Sequence, residues 1–359
     1  MTFYYILYFC IPLVYGISII ITKKNNNNNR FFLVVMGIIL ATVSASRNVF
    51  IGTDTITYYN IFNWISGFNG SIKIAANQSN IEYGYLYLNR LVYYLNGSFK
   101  CLLIIVSVVT IISIMIFISL YSLNFLMSII IFLGFTYYFM SFNISRQFLA
   151  VSLGLLAACF IKFNRKYISL ALIIFASTIH TSAIAFIFLW ILTKVKISKK
   201  KFLLMLGGGI VLAFPSVRIL SYIMQSSERY SHFLSDTTNA KSITGILLVL
   251  GLIGVFVLLV SNFDFNHAKE FDLFMLYGMA LIVIVDVLNI LFPFMGRIKY
   301  VFEPIIMVIL PYTLIKAGVR RYMFVFNIIL FILGIIMITK LIPNNIFYGI
   351  TPYSVGFNY

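Results

Sequence analysis

Residues 31–59 read FFLVVMGIILATVSASRNVFIGTDTITYY. The apolar run from Phe31 to Ala45 is a membrane helix. Just past its end the chain places Arg47 and the turn Gly52-Thr53-Asp54-Thr55. An arginine and a carboxylate at the mouth of a membrane helix are costly to place there, so function is the first reading of them. Elsewhere the chain avoids charge: 62% of its 359 residues are hydrophobic, 10% are charged, and mean hydropathy is +1.02. These values exclude a soluble globular protein. Apolar runs recur, each close to the roughly 20 residues that a helix needs to cross a bilayer. Strand-like alternation is not dominant, which argues against an outer-membrane barrel. The expected fold is an all-α polytopic integral membrane protein, with residues 1–359 forming one domain.

Helices are expected at 3–22, 31–46, 101–121, 125–142, 147–163, 167–180, 182–195, 202–220, 243–262, 272–292, 298–317 and 322–340, about twelve transmembrane helices. The pair across 167–195 is short for two spans. The net charge of +17 is not a nucleic-acid signal, because the Lys and Arg sit in short inter-helix loops. With the N-terminus outside, loops 23–30, 121–124, 162–166, 194–201, 262–271 and 316–321 hold 15 of the 26 basic residues. That density makes them cytoplasmic. The first helix is expected to be retained, because it lacks a basic region ahead of it and is followed by Lys23, Lys24 and Arg30. Asn25 to Asn29 reads as a solvated turn.

Two longer outer loops remain, about 47–100 and 221–242, and short interfacial helices are expected in them. Tyr58, Ile61, Phe62 and Ile65 are spaced three and four apart, a helix with one apolar face. Ile81 to Leu95 is a second such stretch, with tyrosines suited to the interface. The second loop carries Glu228, Arg229, Tyr230, His232 and Asp236. On this topology Arg47, Asp54, Glu82, Arg90, Arg146, Gln147, Arg229, His232 and Arg297 lie outside or at outer helix ends, and His180 joins them. Arginines around a membrane-flush cavity suit a polyanionic ligand with an apolar tail, since guanidinium matches phosphate oxygens in pairs and stays charged. A lipid-linked diphosphate is such a ligand.

Each residue also has a structural reading. Asp54 can N-cap the helix that starts at Thr55. Arg146 stands at a helix N-terminus, where a cation opposes the macrodipole, so a purely structural role fits it less well. Arg297 follows Pro293 and Gly296 and can snorkel to the interface. His180 can be a satisfied buried group, and Glu82 a solvated surface carboxylate. Asp286 lies inside an apolar run and needs a basic partner on another helix. Cys10, Cys101 and Cys159 lie in apolar runs and read as small buried hydrophobes. There is no Walker A loop, dinucleotide fingerprint or HExxH motif.

Five pieces in order resemble the EpsG/Wzy-like family of surface-polysaccharide polymerases. They are Arg47 with Gly52-Thr53-Asp54-Thr55 and Tyr58; Glu82-Tyr83-Gly84-Tyr85; Ile144-Ser145-Arg146-Gln147-Phe148-Leu149-Ala150; His180-Thr181-Ser182-Ala183; and Gly296-Arg297 with Tyr300. The resemblance implies a bacterial inner-membrane glycosyltransferase with its site on the periplasmic or outer face. It would transfer a growing glycan from undecaprenyl diphosphate to another undecaprenyl-diphosphate-linked oligosaccharide repeat unit. No cofactor, nucleotide or metal is expected. Arg47, Arg146 and Arg297 would hold the diphosphate, Gln147, Arg229, Tyr58 and Tyr300 would contact substrate, and Asp54, His180 or Glu82 would act as the base. Membrane lipid, a chain-length regulator and a flippase are the expected partners, and nucleic acid is not. The competing readings are an O-antigen ligase, a membrane acyltransferase and a lipid-linked oligosaccharide flippase.

Overall fold

The computed structural model describes residues 1–23, 29–225, 243–292, 295–343 and 349–356. In chain order the α-helices are α1 (Thr2–Thr22), α2 (Arg30–Ser46), α3 (Thr55–Ser66), α4 (Ile72–Ser79), α5 (Tyr83–Tyr94) and α6 (Phe99–Tyr121). There follow α7 (Phe125–Gly134), α8 (Tyr137–Asn143), α9 (Ser145–Lys162), α10 (Lys166–Ile179), α11 (Phe186–Leu192) and α12 (Lys199–Gln225). The last are α13 (Ile243–Ser261), α14 (Glu270–Leu291), α15 (Gly296–Phe302), α16 (Ile306–Lys316) and α17 (Met323–Leu341). Among the described residues extended pairing is limited to one antiparallel bridge, Arg47 with Val355.

The expected helical segments are all found on helix, but their number as membrane spans differs from the expectation. Among the described residues six helices are long and apolar enough to cross a membrane, or seven if the bent pair α7–α8 is one span. The sequence reading expects about twelve. Four further helical stretches, α2, α10, the 181–192 piece and residues 245–261 of α13, are apolar but shorter. A second difference concerns the loop expected at 221–242. Its first residues, 221–225, continue α12, and the rest lies outside the described residues.

The chain divides into two compact units, Met1–Ile184 with Arg320–Tyr359, and Ala185–Val319. In the first unit α6 packs against α2 and α9, α9 against α10, and α7 against α17. At the α7–α17 crossing a Cβ on Gly334 would come within 2.9 Å of the Gly134 Cα. Small residues at both positions let the two backbones approach closely. Asn29 ties α1 to α2: its Oδ1 caps Phe31 and Phe32 N–H, while its Nδ2 donates to Ser18 Oγ (3.0 Å) and Thr22 Oγ1 (3.1 Å).

The 47–100 segment holds three short helices, not two. The extra one, α4, buries only Ile72, Ala75 and Ala76 and is capped by Ser71. Eight residues are too few for the periodicity to stand out. Helices α3 and α5 do more than rest on an interface. Their Tyr58, Phe62 and Tyr85 join Phe99 of α6, Leu149 of α9 and Ala176 of α10 in one core cluster. Burying each large side chain is worth about 1.5–3 kcal/mol. Arg90 closes the α4 loop from inside by donating to Phe68 O (2.6 Å) and Gly70 O (3.0 Å).

The segment expected as one helix over 125–142 is broken. Helices α7 and α8 meet at 46°, with Thr136 in the left-handed region at φ 64°. That conformation is uncommon outside glycine. The bend sets where α8 ends, at Asn143, and so where α9 begins.

In the second unit α14 packs against α11, α13, α15 and α16. Asp286 gains the partner that its position demands. Lys299 Nζ lies 2.9 Å from Asp286 Oδ1 and 3.2 Å from Glu303 Oε1. At the other end of α14, Asp272 accepts from Tyr312 Oη (2.5 Å) and from its own Lys269 N–H (3.1 Å). Acidic residues there complement the positive end of the helix dipole. Of the cysteines, Cys159 is buried, whereas Cys101 is exposed on α6, against the expectation of burial for all three.

Candidate active site

Helix α2 ends at Ser46 and the chain turns extended at Arg47. The Arg47 side chain is 0% exposed. Its Nη1 donates to Ser44 O (2.5 Å), Ser44 Oγ (3.0 Å) and Ser107 Oγ (3.1 Å), and its guanidinium lies 5.1 Å from the Phe142 ring centre. Among the described residues its Nε and Nη2 have no hydrogen-bond partner. Burial next to serines follows from the sequence SAS ahead of it, whose small side chains leave room for the guanidinium.

The next turn needs glycine. Gly52 has φ 93°, and a Cβ there would meet the Phe142 carbonyl carbon at 2.8 Å. The turn therefore lies against the end of α8. Thr55 Oγ1 donates to Ile51 O (2.7 Å) and Phe142 O (3.1 Å). Asn143 Oδ1 accepts from Thr53 Oγ1 (2.6 Å) and from Asp54 N (3.0 Å). Asp54 occupies the N-cap position of α3, yet its side chain makes no capping hydrogen bond. Its Oδ2 accepts from Tyr58 Oη at 3.5 Å. The cap role that the sequence allows for Asp54 is thus not the one its carboxylate fills; Asn143 supplies the acceptor at this helix start.

Glu82, Arg146 and Thr181 meet although they lie far apart in sequence. Arg146 Nη1 is 2.5 Å from Glu82 Oε2, with both side chains 12% exposed. Thr181 donates to Glu82 Oε1 from its N–H (3.1 Å) and its Oγ1 (2.7 Å). Gly84 permits this meeting. A Cβ on it would lie 2.7 Å from the Thr178 carbonyl oxygen, so only glycine lets the start of α5 reach the end of α10. Glu82 also removes the objection to an arginine at the start of α9, because its carboxylate offsets the clash with the dipole. Burial alone would raise the Glu82 pKa. The Arg146 guanidinium and the two Thr181 hydrogen bonds, with His180 nearby, outweigh it and hold the carboxyl below its usual range.

His180 caps the C-terminal end of α10 and is 7% exposed, with Nδ1 2.8 Å from Ser182 Oγ. Tyr58 and Tyr85 are buried with ring centres 5.7 Å apart, and Arg146 lies 5.8 Å from the Tyr85 ring centre. Gln147, next to Arg146, is 3% exposed. One continuous set of contacts therefore links Asp54, Tyr58, Tyr85, Arg146, Glu82 and Thr181, and Arg47 joins it through the end of α8. Helix ends expected on the outer side gather here. Ends expected inside meet one another, as where Lys162 Nζ donates to Leu120 O.

Two expected site residues belong to the second unit and one lies outside the described residues. Arg297 is exposed in the first turn of α15 and Tyr300 is half-buried, both in the second unit. Arg229 lies outside the described residues, as do Glu228, Tyr230, His232 and Asp236. Asn143 and the Thr181 clamp were missed by sequence reasoning. An asparagine just before a helix start, in FNISRQ, is the signal that could have drawn attention to the first. Among the described residues no three His, Cys, Asp or Glu side chains gather in a way that could hold a metal ion.

The EpsG family model matches residues 30–355. The chain belongs to the EpsG family. No curated protein and no solved structure matches it. EpsG membership covers the Arg47 stretch, the Glu82–Arg146 pair, His180 and Arg297 alike. With the apolar helices it marks a membrane protein of polysaccharide biosynthesis.

Proposed function

We propose that this EpsG-family protein is a repeat-unit polymerase. It moves a growing glycan from undecaprenyl diphosphate onto the sugar end of a second lipid-linked repeat unit. The observation that carries this reading is Arg47: a fully buried guanidinium with Nε and Nη2 unpaired among the described residues. A buried cation without a counter-charge is strongly unfavourable, and a diphosphate supplies that charge with oxygens matched to the guanidinium fork.

In the proposed reaction the acceptor hydroxyl attacks the anomeric carbon of the donor. The bond from that carbon to the diphosphate oxygen breaks, and the lipid diphosphate leaves. Arg47 stabilises the charge that develops on the leaving group, an electrostatic role. Arg146 assists in holding donor phosphates. Asp54 takes the acceptor proton, a step worth about 10²- to 10⁴-fold. It suits this better than Glu82, whose two oxygens already bind Arg146 and Thr181. His180 is second in line as base. Gln147 and Tyr58 contact the sugars.

The shorter apolar helices complete a bundle of about twelve spans in the bacterial inner membrane, with the site facing outward. A chain-length regulator and a flippase are partners in this reading. Transport is less well supported, because the buried Asp286 and the half-buried Glu303 are both engaged by Lys299. The test is to incubate purified protein with a lipid-linked repeat unit, first alone and then with a lipid A acceptor. A ladder of polymers is expected. An unreacted substrate with folded protein present would sink the reading, and transfer only to a lipid A acceptor would make it a ligase.

A further inference from the structure

The C-terminal segment 349–356 lies across the Arg47 stretch. Asn48 N donates to Ser354 O (2.9 Å), Gly52 N to Gly349 O (2.8 Å) and Gly356 N to Ser46 O (3.1 Å). Tyr353 Oη bonds Val43 O (2.7 Å) and Ser46 Oγ (3.0 Å), and its ring stacks on Phe3 at 4.0 Å. Lys100 Nζ joins Arg47 O (3.3 Å) to Gly356 O (2.5 Å). Gly349 has φ 57°, and a Cβ there would meet Thr53 N at 3.0 Å, so the segment lies flush on the turn before Asp54. The Tyr353 phenol is within electrostatic reach of the Arg47 guanidinium.

We infer that residues 349–356 are a lid over Arg47, which opens to admit the phosphate-bearing headgroup of the substrate and closes over it. The inference rests on the reading of Arg47 as a phosphate contact. Two features separate a lid from a fixed roof. The segment is held by three backbone bonds, by Tyr353 and Lys100, and by the Tyr4 hydroxyl on Ile350 O, with Ile350 buried but Val355 51% exposed. Segments with few buried apolar contacts open locally, well below the free energy of global unfolding. Beneath it lies a cation with two donors still to be satisfied, which a permanently closed roof would leave so.

Hydrogen exchange of the full chain in detergent, followed peptide by peptide, tests the lid. The amides of 48–52 and 354–356 are expected to exchange together, at least tenfold faster than those in the middle of α6. Tyr353→Ala should speed both sets by a further tenfold or so while α6 keeps its protection, which also shows that the variant is folded. If both sets exchange as slowly as α6 in the wild type and in Tyr353→Ala, the segment is a fixed roof and the inference fails. Inorganic pyrophosphate separates the two claims. It should slow both sets in the wild type and not in Arg47→Ala. If the segments open but pyrophosphate leaves their rates unchanged, the phosphate reading of Arg47 fails while the lid stands.

Discussion

Asp54 and Asn143 divide two tasks that a single aspartate often combines. Asn143 supplies the acceptor at the start of α3, and the Asp54 carboxylate is turned toward Tyr58. Asp54→Asn should therefore leave the melting temperature unchanged yet abolish single-turnover polymerisation. Asn143→Ala should cost about 1 kcal/mol of stability, as loss of a cap does; equal melting of both variants would contradict this division. Glu82 gives a pH prediction. Its carboxyl is held below the usual range, so its contribution is present above its unfolded pKa and lost as pH falls through the lower folded value. Melting temperature should drop as pH is taken below about 4, and Glu82→Gln should remove that part of the drop. Arg47, Asp54, Glu82, Arg146 and His180 stood out in the sequence because charge is rare there. Their pairings did not, because the Glu82–Arg146 contact spans 64 positions and no local pattern encodes it.

At the scale of elements, hydropathy and period located the helices, since both are local properties. They did not reveal the bend between α7 and α8, where Gly134 ends α7 but the left-handed residue is Thr136. They also could not say that α5 would touch α10. Gly84 makes that contact possible, and its meaning appears only once Thr178 is beside it. Gly84→Ala should push α5 from α10, because the new Cβ would meet the Thr178 carbonyl oxygen at 2.7 Å as well as its side chain, and the backbone cannot swing aside. The expected result is a loss of roughly 1–3 kcal/mol, typical of overpacking, with turnover reduced further because Glu82 leaves Thr181. Thermal melts and turnover of Gly84→Ala check this, and wild-type values for both would show that the approach is not needed.

At the scale of the whole molecule, composition settled the membrane class, and the arginines drew attention to an anionic substrate. Sidedness comes from the Lys and Arg density of the loops. Ser71→Cys should label from outside intact cells and Ser198→Cys should not; the reverse pattern would put the site on the wrong face for an extracytoplasmic polymer. The central claim is that buried Arg47 holds the donor diphosphate. Its most direct test is polymerisation of a lipid-linked repeat unit by purified wild-type protein beside Arg47→Lys, with melting curves to show that both are folded. Lysine keeps the charge but loses the planar fork. The account predicts a ladder from the wild type and single repeat units from Arg47→Lys. A full ladder from Arg47→Lys would contradict it.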